Sequence, residues 1–436
     1  MRRSAQVFIR RSAQAFALLV VGCAPVFAQA PQTLSLRDAE QRALAGHPGI
    51  LAAQASAQAA AQVELEAKSA YWPSLVGNVT GAIAPDNTRI TAGGLNNPSV
   101  FDRVALGVTA SQLVTDFGRT SALVQAQALR AEAQTRDVAL LRAVVLLDVD
   151  RAYFDAQRAL AVERVAQQTV DARQLVADQV SALANSGLKS GLDLSFARVN
   201  LSQAQLLRVQ AEGDVQAAFA ALSTAMGAPR TSTFALVDTT VETPVSGDAA
   251  PMIAEALRER PDVAAARLAA QAAARFADAE RALLRPTVAA VGTIGVTPAR
   301  DPAIVNQQFA AAGFNVTVPV FNGGLFSSRR SEAMFRAEMA ADSLRDLENR
   351  VARDVTLAWV QVRTGVQRVD LTRQLLAQAT DALDLAQQRY NLGLSSIVEL
   401  TQAQLNKTEA EIADATARYD LQARSAGLRF QTGALK

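Results

Sequence analysis

The sequence predicts a mainly α-helical chain that also carries membrane-type β-strands, arranged as a duplicated strand–strand–long-helix repeat. Three observations predict this fold class: a long heptad pattern, an internal duplication, and paired segments in which apolar and polar residues alternate. The composition agrees, because 50% of the 436 residues are hydrophobic while only 5% are aromatic. Long helices with cores of small residues have this composition more often than globular enzymes do.

The heptad pattern runs from Val351 to Tyr390, where apolar or small residues recur at alternating steps of four and three. This period, about 3.5 residues, is typical of helices that supercoil around one another in a left-handed sense. No proline occurs after Pro319, so nothing in the sequence interrupts one long helix over about 324–391. At about 1.5 Å per residue such a helix is roughly 100 Å long, which exceeds an ordinary compact domain.

The chain contains two copies of one pattern. His47-Pro48 and Pro73 in the first copy match Arg260-Pro261 and Pro286 in the second, each 213 positions later. Beyond the predicted strands the offset becomes 206 and holds over roughly a hundred residues, which indicates a duplication. The predicted copies span 31–228 and 251–436. A segment at 229–250 that is rich in Pro, Thr, Ser and Gly joins them as a linker.

Each copy has two alternating segments followed by a long helix and a shorter return helix. The alternating segments are about 10–13 residues long, close to the roughly 9–11 residues that a tilted strand needs to cross a bilayer. Four strands cannot close a barrel and lipid does not tolerate open edges, so several chains would have to pool their strands. The alternative, half-buried hairpins of a soluble sheet, leaves the long helices unexplained. Predicted strands lie at about 73–84, 101–114, 286–297 and 309–320, long helices at about 118–186 and 324–391, and return helices at about 191–226 and 397–432.

Residues 1–30 are predicted to be a secretory signal peptide, with four arginines, an apolar run too short to span a membrane, and small-residue cleavage sites. Removing these four charges from the formal net charge of +2 leaves −2, which argues against a nucleic-acid partner. Cys23 is the only cysteine, and it lies in a stretch that resembles a lipoprotein cleavage box. It either carries a lipid or is removed with the signal.

The order of elements, together with the junction Phe321-Asn322-Gly323-Gly324 and the stretch at 390–404, resembles the TolC-type outer-membrane efflux proteins over about 34–434. The resemblance implies a homotrimer whose chains form a 12-stranded β-barrel in the outer membrane and a 12-helix α-barrel across the periplasm. It also implies two partners, a periplasmic adaptor protein and an inner-membrane transporter. The implied function is the exit duct of an efflux or type I secretion system, and the sequence leaves the cargo open.

The resemblance also places the functional residues at the far tips of the long helices. By position, Asp193 corresponds to a carboxylate of the family's gate link and Glu399 to one carboxylate of its acidic ring. This chain departs from the family twice, because Gln402 stands where a second ring acid is expected and Ser395 replaces the arginine of the gate link. Lys189 is a candidate substitute partner. The alternative for each charge is a solvated helix face.

The turns themselves are predicted to contact the adaptor. Gly187-Leu188 and Gly393-Leu394 occupy equivalent tips, and glycine permits the positive φ of a tight turn between helices. That turn geometry explains the glycines without any partner. The two leucines, which we expect to be exposed, have no such explanation.

Other classes of protein fit the sequence less well. The single histidine, His47, the lone cysteine and the lack of a lysine-bearing glycine loop leave no nucleophile–base set and no metal cluster, so we expect neither an enzyme nor a cofactor. A periplasmic coiled-coil scaffold without a pore is the stronger alternative. Such a scaffold would have no use for alternating strands of bilayer length.

Overall fold

The computed structural model describes residues 33–83, 88–92, 95–100, 103–238, 247–299 and 305–435. Within those ranges the chain forms two long antiparallel helical hairpins that continue into one four-stranded sheet. The predicted signal peptide, including Cys23, lies outside the described residues.

The first copy contains a short hairpin, within residues 88–100, that the sequence does not predict. Its two strands pair antiparallel, although Gly, Asn and Pro dominate the composition around them. In chain order the elements are β1 (Thr33–Leu34), α1 (Leu36–Gly46), α2 (Pro48–Ser69), β2 (Ser74–Ala82), β3 (Thr88–Ala92), β4 (Leu95–Val100), β5 (Arg103–Thr115), α3 (Arg119–Asn185) and α4 (Gly191–Ala225).

The second copy repeats the order of long elements. It comprises β6 (Ala235–Leu236), α5 (Ala250–Glu259), α6 (Pro261–Arg281), a 3₁₀ turn (Ala282–Leu284), β7 (Thr287–Ala299), β8 (Gln308–Thr317), α7 (Leu325–Asn391) and α8 (Ile397–Gln431). The sequence analysis does not assign α1 and α5. Each precedes a helix that begins with proline, which fits the first helical position because its missing N–H would lack a partner there.

The four-stranded sheet is antiparallel, with the order β2-β5-β7-β8. Among the described residues, the outer edges of β2 and β8 have no partner strand. Gly295 on β7 is required by packing, because a Cβ there would overlap the carbonyl of Leu106 and the ring of Phe309. Many large apolar side chains of the strands are exposed in the single chain, among them Val79 at 76%.

The helices keep the same lateral order as the strands. Near the sheet, α3 packs against α2 and α6, and α6 packs against α7. Beyond the middle of the long helices, α3 packs against α4 and α8, and α8 packs against α7. One flank of the chain therefore consists of α2, α4 and β2, and the other of α7 and β8. None of the described helices contains a stretch that is long and apolar enough to span a bilayer.

The heptad positions of α7 form its buried seam, which confirms the predicted period. Nine of the twelve seam positions between Val351 and Tyr390 are buried. Gly365 belongs to this seam, and a Cβ there would lie 3.1 Å from Leu421 Cδ1 on α8. Small residues on the seam therefore let α7 and α8 approach closely, as in other coiled helices.

The largest core cluster of the described residues lies midway along α3, next to the first described strand and the segment that joins the two copies. Strands β1 and β6 pair in parallel there. The buried Tyr153 hydroxyl lies 2.9 Å from the carbonyl oxygen of Leu34 and 2.8 Å from that of Val237, so α3 is fixed to both short segments. Burial is the main cause that raises the pKa of Tyr153 to about 12. The Val237 hydrogen bond opposes this effect, and the charges of Asp238 and Asp38 add smaller increases.

Candidate functional site

The two helix tips share one turn geometry, which comes from the duplicated sequence. Gly187 and Gly393 have φ values of 74° and 73°, in the left-handed region that favours glycine. The next residue in each turn donates a backbone hydrogen bond to the preceding helix, from Leu188 to Leu183 at 2.9 Å and from Leu394 to Arg389 at 2.8 Å. These bonds satisfy carbonyls that the helix ends would otherwise leave without partners.

Both tip leucines project outward. Leu188 is 73% exposed and Leu394 is 67% exposed. Neither belongs to a hydrophobic core cluster of the described chain. The structure therefore accounts for the glycines through the turn but gives the leucines no packing role within the single chain.

Asp193 lies in the first turn of the return helix α4 and forms a capping box with Ser190. Its backbone N–H donates to Ser190 Oγ at 3.1 Å, and the Ser190 hydroxyl donates to Asp193 Oδ2 at 2.9 Å. The Ser190 N–H also donates to Asp193 Oδ2, at 3.2 Å. The carboxylate thus has a structural role at the helix N-terminus, where its charge also suits the helix dipole.

The equivalent acid of the second copy has a different partner. Glu399 donates its backbone N–H to Ser396 Oγ at 3.3 Å, while its carboxylate lies 3.3 Å from Nε of Arg389 on α7. Both side chains are about half exposed, so this ion pair contributes on the order of 0–1 kcal/mol. One turn further on, the Gln402 amide donates to Asn406 Oδ1 at 2.9 Å on the exposed surface of α8.

Tyr390 links the two tips. Its ring is buried between the hairpins, in a cluster with Ala177, Val180, Ile397 and Leu400. The ammonium of Lys189, from the other tip, lies 4.5 Å from the centre of that ring. This arrangement is a cation–π contact, worth about 0.5–1 kcal/mol at exposed sites and about 2 where water is excluded.

The polar groups around Tyr390 are not all satisfied within one chain. Burial raises the pKa of the Tyr390 hydroxyl, and the negative charge of Asp193 raises it further. Within the described chain, the buried Tyr390 hydroxyl and Ser395 Oγ have no hydrogen-bond partner. Ser395 occupies the tip position that Lys189 occupies in the first copy.

The sequence pattern did not identify Arg389 or Tyr390 as functional residues of the tip, and Tyr390 was predicted only as the last position of the helical seam. Their equivalents in the first copy, 206 positions earlier, are Leu183 and Ala184. This difference between the copies is the signal that could have identified them. Elsewhere, the described residues include no cluster of three or more His, Cys, Asp or Glu that could hold a metal ion.

The fold and the tips together define a class of protein. Among the described residues, a sheet of bilayer-length strands with two unpaired edges continues into long helical hairpins, and the hairpin tips carry exposed leucines and polar links. This combination defines an outer-membrane channel protein whose helices extend into the periplasm.

Comparisons with known proteins identify the family. The family model described as "Outer membrane efflux protein" matches residues 39–228 and 252–434, so the chain belongs to the outer membrane efflux protein family. The two matched segments correspond closely to the two copies of the duplicated pattern. Named members of this family are outer-membrane efflux channels.

Individual relatives are distant in sequence. BepC of Brucella suis biovar 1 is 23% identical over 84% of this chain and 78% of its own length. TolC of Escherichia coli K12 is 20% identical over 94% of this chain and 84% of its own length. The solved structure of the channel OprN matches with a TM-score of 0.81 at 20% identity, over 91% of this chain and 89% of that one. That structure supports the fold.

Proposed function

We propose that three copies of this chain close into the exit duct of a tripartite efflux or type I secretion system. The observation that carries this proposal is the pair of free sheet edges on opposite flanks of one chain. Within the described residues, β2 and β8 both lack partners, and lipid does not tolerate open edges. Pairing β2 of one copy with β8 of the next would remove both edges, and three copies would supply a 12-stranded barrel.

The helices support the same closure. Helix α4, on the β2 flank, exposes large apolar side chains that include Leu192, Leu206 and Val209. Helix α7, on the β8 flank, exposes Phe335, Met339 and Leu371 among others. A head-to-tail ring would cover both sets at the same interface, whereas a single chain leaves them in water. Three pairs of hairpins would form the 12-helix tube across the periplasm.

The partners follow from the two ends of this tube. Apolar side chains on the strands, such as Leu75 and Val79, would face outer-membrane lipid. The exposed Leu188 and Leu394 at the other end would contact the tips of a periplasmic adaptor, which holds the duct over an inner-membrane transporter. The turns leave both leucines free for this contact, because their backbone hydrogen bonds are already made within the chain.

The tips would also open and close the duct. In the closed state, Lys189 over Tyr390 would hold the first hairpin to the second, in place of the arginine that Ser395 replaces. Asp193 would act on the buried tyrosine through its charge. Glu399, repeated three times around the axis and followed by Gln402, would attract cations and repel anions.

The proposal is tested by purifying the chain from outer membranes and measuring both its oligomeric state and its ion conductance in planar bilayers. We expect trimers that conduct. Leu206→Asp on α4 should weaken the trimer, whereas the control Leu188→Asp, which changes an equally exposed leucine at the tip, should leave it intact. A stable assembly without conductance would overturn the duct and favour the periplasmic scaffold without a pore.

A further inference from the structure

A groove of about 440 Å³ lies between α3, α7 and α8, above the tips. Helix α8 contributes residues such as Lys407 and Thr408, and α3 contributes residues around Arg173. The groove is present in the single chain. Its volume falls within the range of about 300–1,000 Å³ that small-molecule sites occupy.

The unusual member of this groove is Arg173. It occupies a seam position of α3 whose equivalent in α7, 206 positions later, is the buried Ala379. Arg173 is only 7% exposed, so a guanidinium stands at a position that the coiled packing otherwise gives to a small apolar residue. Burial of the cation lowers the pKa of Arg173.

The described part of the chain gives the Arg173 guanidinium no hydrogen-bond or ion-pair partner. Glu411, which lines the same groove, is already paired with Lys407 at 2.9 Å. Another buried arginine does have an acidic partner. Arg260, which is 8% exposed, donates two hydrogen bonds to Asp262, at 3.0 Å and 2.7 Å. Desolvating a cation without an opposite charge is costly, so Arg173 would gain from a bound anion.

We propose that this groove is a binding site for a small organic carboxylate, with Arg173 as its anchor. A guanidinium presents two parallel N–H donors that match the two oxygens of a carboxylate. This inference goes beyond the exit-duct proposal and does not rest on it, because the site lies within one chain.

The rest of the lining indicates what the carboxylate is attached to. A single inorganic ion would leave most of the groove empty, so the ligand extends beyond its charged group. The α7 wall carries Asp384, which accepts hydrogen bonds, and the carboxamides of the groove both donate and accept. Val176 and Leu383 add apolar surface to the same lining, so the ligand body carries hydroxyl or amine groups on a carbon skeleton that packs against these side chains. The glutamines that line the groove are Gln168, Gln179, Gln387 and Gln404.

D-gluconate and sorbitol make a matched pair of probes. Sorbitol has a terminal CH₂OH group where gluconate has its carboxylate, and the two molecules otherwise share the same chain of hydroxyls. We expect isothermal titration of the purified full chain in detergent, at low salt, to show binding of gluconate and none of sorbitol. Arg173→Gln should weaken gluconate binding about tenfold or more, the loss expected for a hydrogen-bonded charge. Arg136→Gln, which removes the same charge from an exposed site on α3, should leave the affinity unchanged.

Arg173→Lys keeps the charge but loses the planar fork, so we expect an intermediate affinity. It also serves as the second variant if Arg173→Gln does not fold. Equal binding of gluconate by the wild type and a folded Arg173→Gln variant would overturn the proposal, as would a wild type that binds neither probe. Sorbitol binding as tightly as gluconate would overturn the role of the charge. Sulfate binding as tightly as gluconate would overturn the assignment to organic carboxylates.

Discussion

The contact between Lys189 and Tyr390 offers the sharpest test of how the tips are held together. Lys189→Gln removes the positive charge 4.5 Å from the ring centre and keeps a side chain of similar length. The ring itself stays buried in its cluster with Ile397 and Leu400, so the hairpins should fold normally. The expected effect is therefore on the balance between closed and open tips.

The magnitude follows from the geometry. Lys189 is partly exposed, so its cation–π contact is worth about 1 kcal/mol, between the exposed and the desolvated limits. If three tips open together, the closed state of the trimer loses about 3 kcal/mol. Since each 1.4 kcal/mol is about tenfold in an equilibrium constant, the ratio of open to closed channels should rise roughly a hundredfold.

The assay is single-channel recording from purified trimers in planar bilayers, with the open fraction as the readout. Lys407→Gln is the matched control, because it removes a lysine from α8 whose partner is Glu411 on the same helix. Lys189→Arg should restore closure, since arginine also binds aromatic faces. If Lys189→Gln opens the channel no more than Lys407→Gln does, the tips are held by other contacts and the reasoning is refuted.

Three further predictions concern the tip surface, the middle of α3 and the start of the chain. Leu188→Asp should abolish efflux while trimers remain in the outer membrane. The control Leu175→Asp, which changes an exposed leucine elsewhere on α3, should leave efflux unchanged. Normal efflux in the Leu188→Asp variant would exclude the proposed adaptor contact. Tyr153→Phe removes the hydroxyl donor from two carbonyls that keep their other donors, the Val237 N–H for Leu34 and Gln157 Nε2 for Val237. Denaturant unfolding should therefore show a loss of about 0.5–1.5 kcal/mol in the free energy of unfolding. The folded state raises the pKa of this tyrosine from 10.0 to about 12. The contribution of its hydroxyl to the free energy of unfolding should therefore be complete below pH 10 and decline as the pH rises towards 12. An unchanged alkaline unfolding profile in Tyr153→Phe would contradict this. We predict that Cys23 is removed with the signal peptide, because a conventional small-residue cleavage site follows it. The mature protein should then incorporate no labelled palmitate, and Cys23→Ser should still reach the outer membrane; labelled wild-type protein would contradict this.

The sequence predicted the long elements well because their signals are local and repeated. A 3.5-residue period sustained over α7 fixes which side chains face a neighbour, and nine of its twelve seam positions are buried. The short elements were not predicted, because they lack such repeated signals. Helices α1 and α5 span only 11 and 10 residues and belong to no sustained heptad pattern, and the polar sequence of β3 and β4 lacks the alternation of the long strands.

The features of the tips also separate into those that the local sequence predicts and those that depend on tertiary packing. The turns follow from the sequence alone, because a glycine with positive φ is needed at Gly187 and Gly393 whatever surrounds them. The capping of α4 by Ser190 is also local, since its partner Asp193 lies one helical turn away. Tertiary packing, in contrast, places Lys189 over Tyr390 and buries Arg173 with no partner in the described part of the chain. These contacts depend on how two hairpins, separated by some 200 residues of chain, pack side by side, and no local pattern encodes that arrangement.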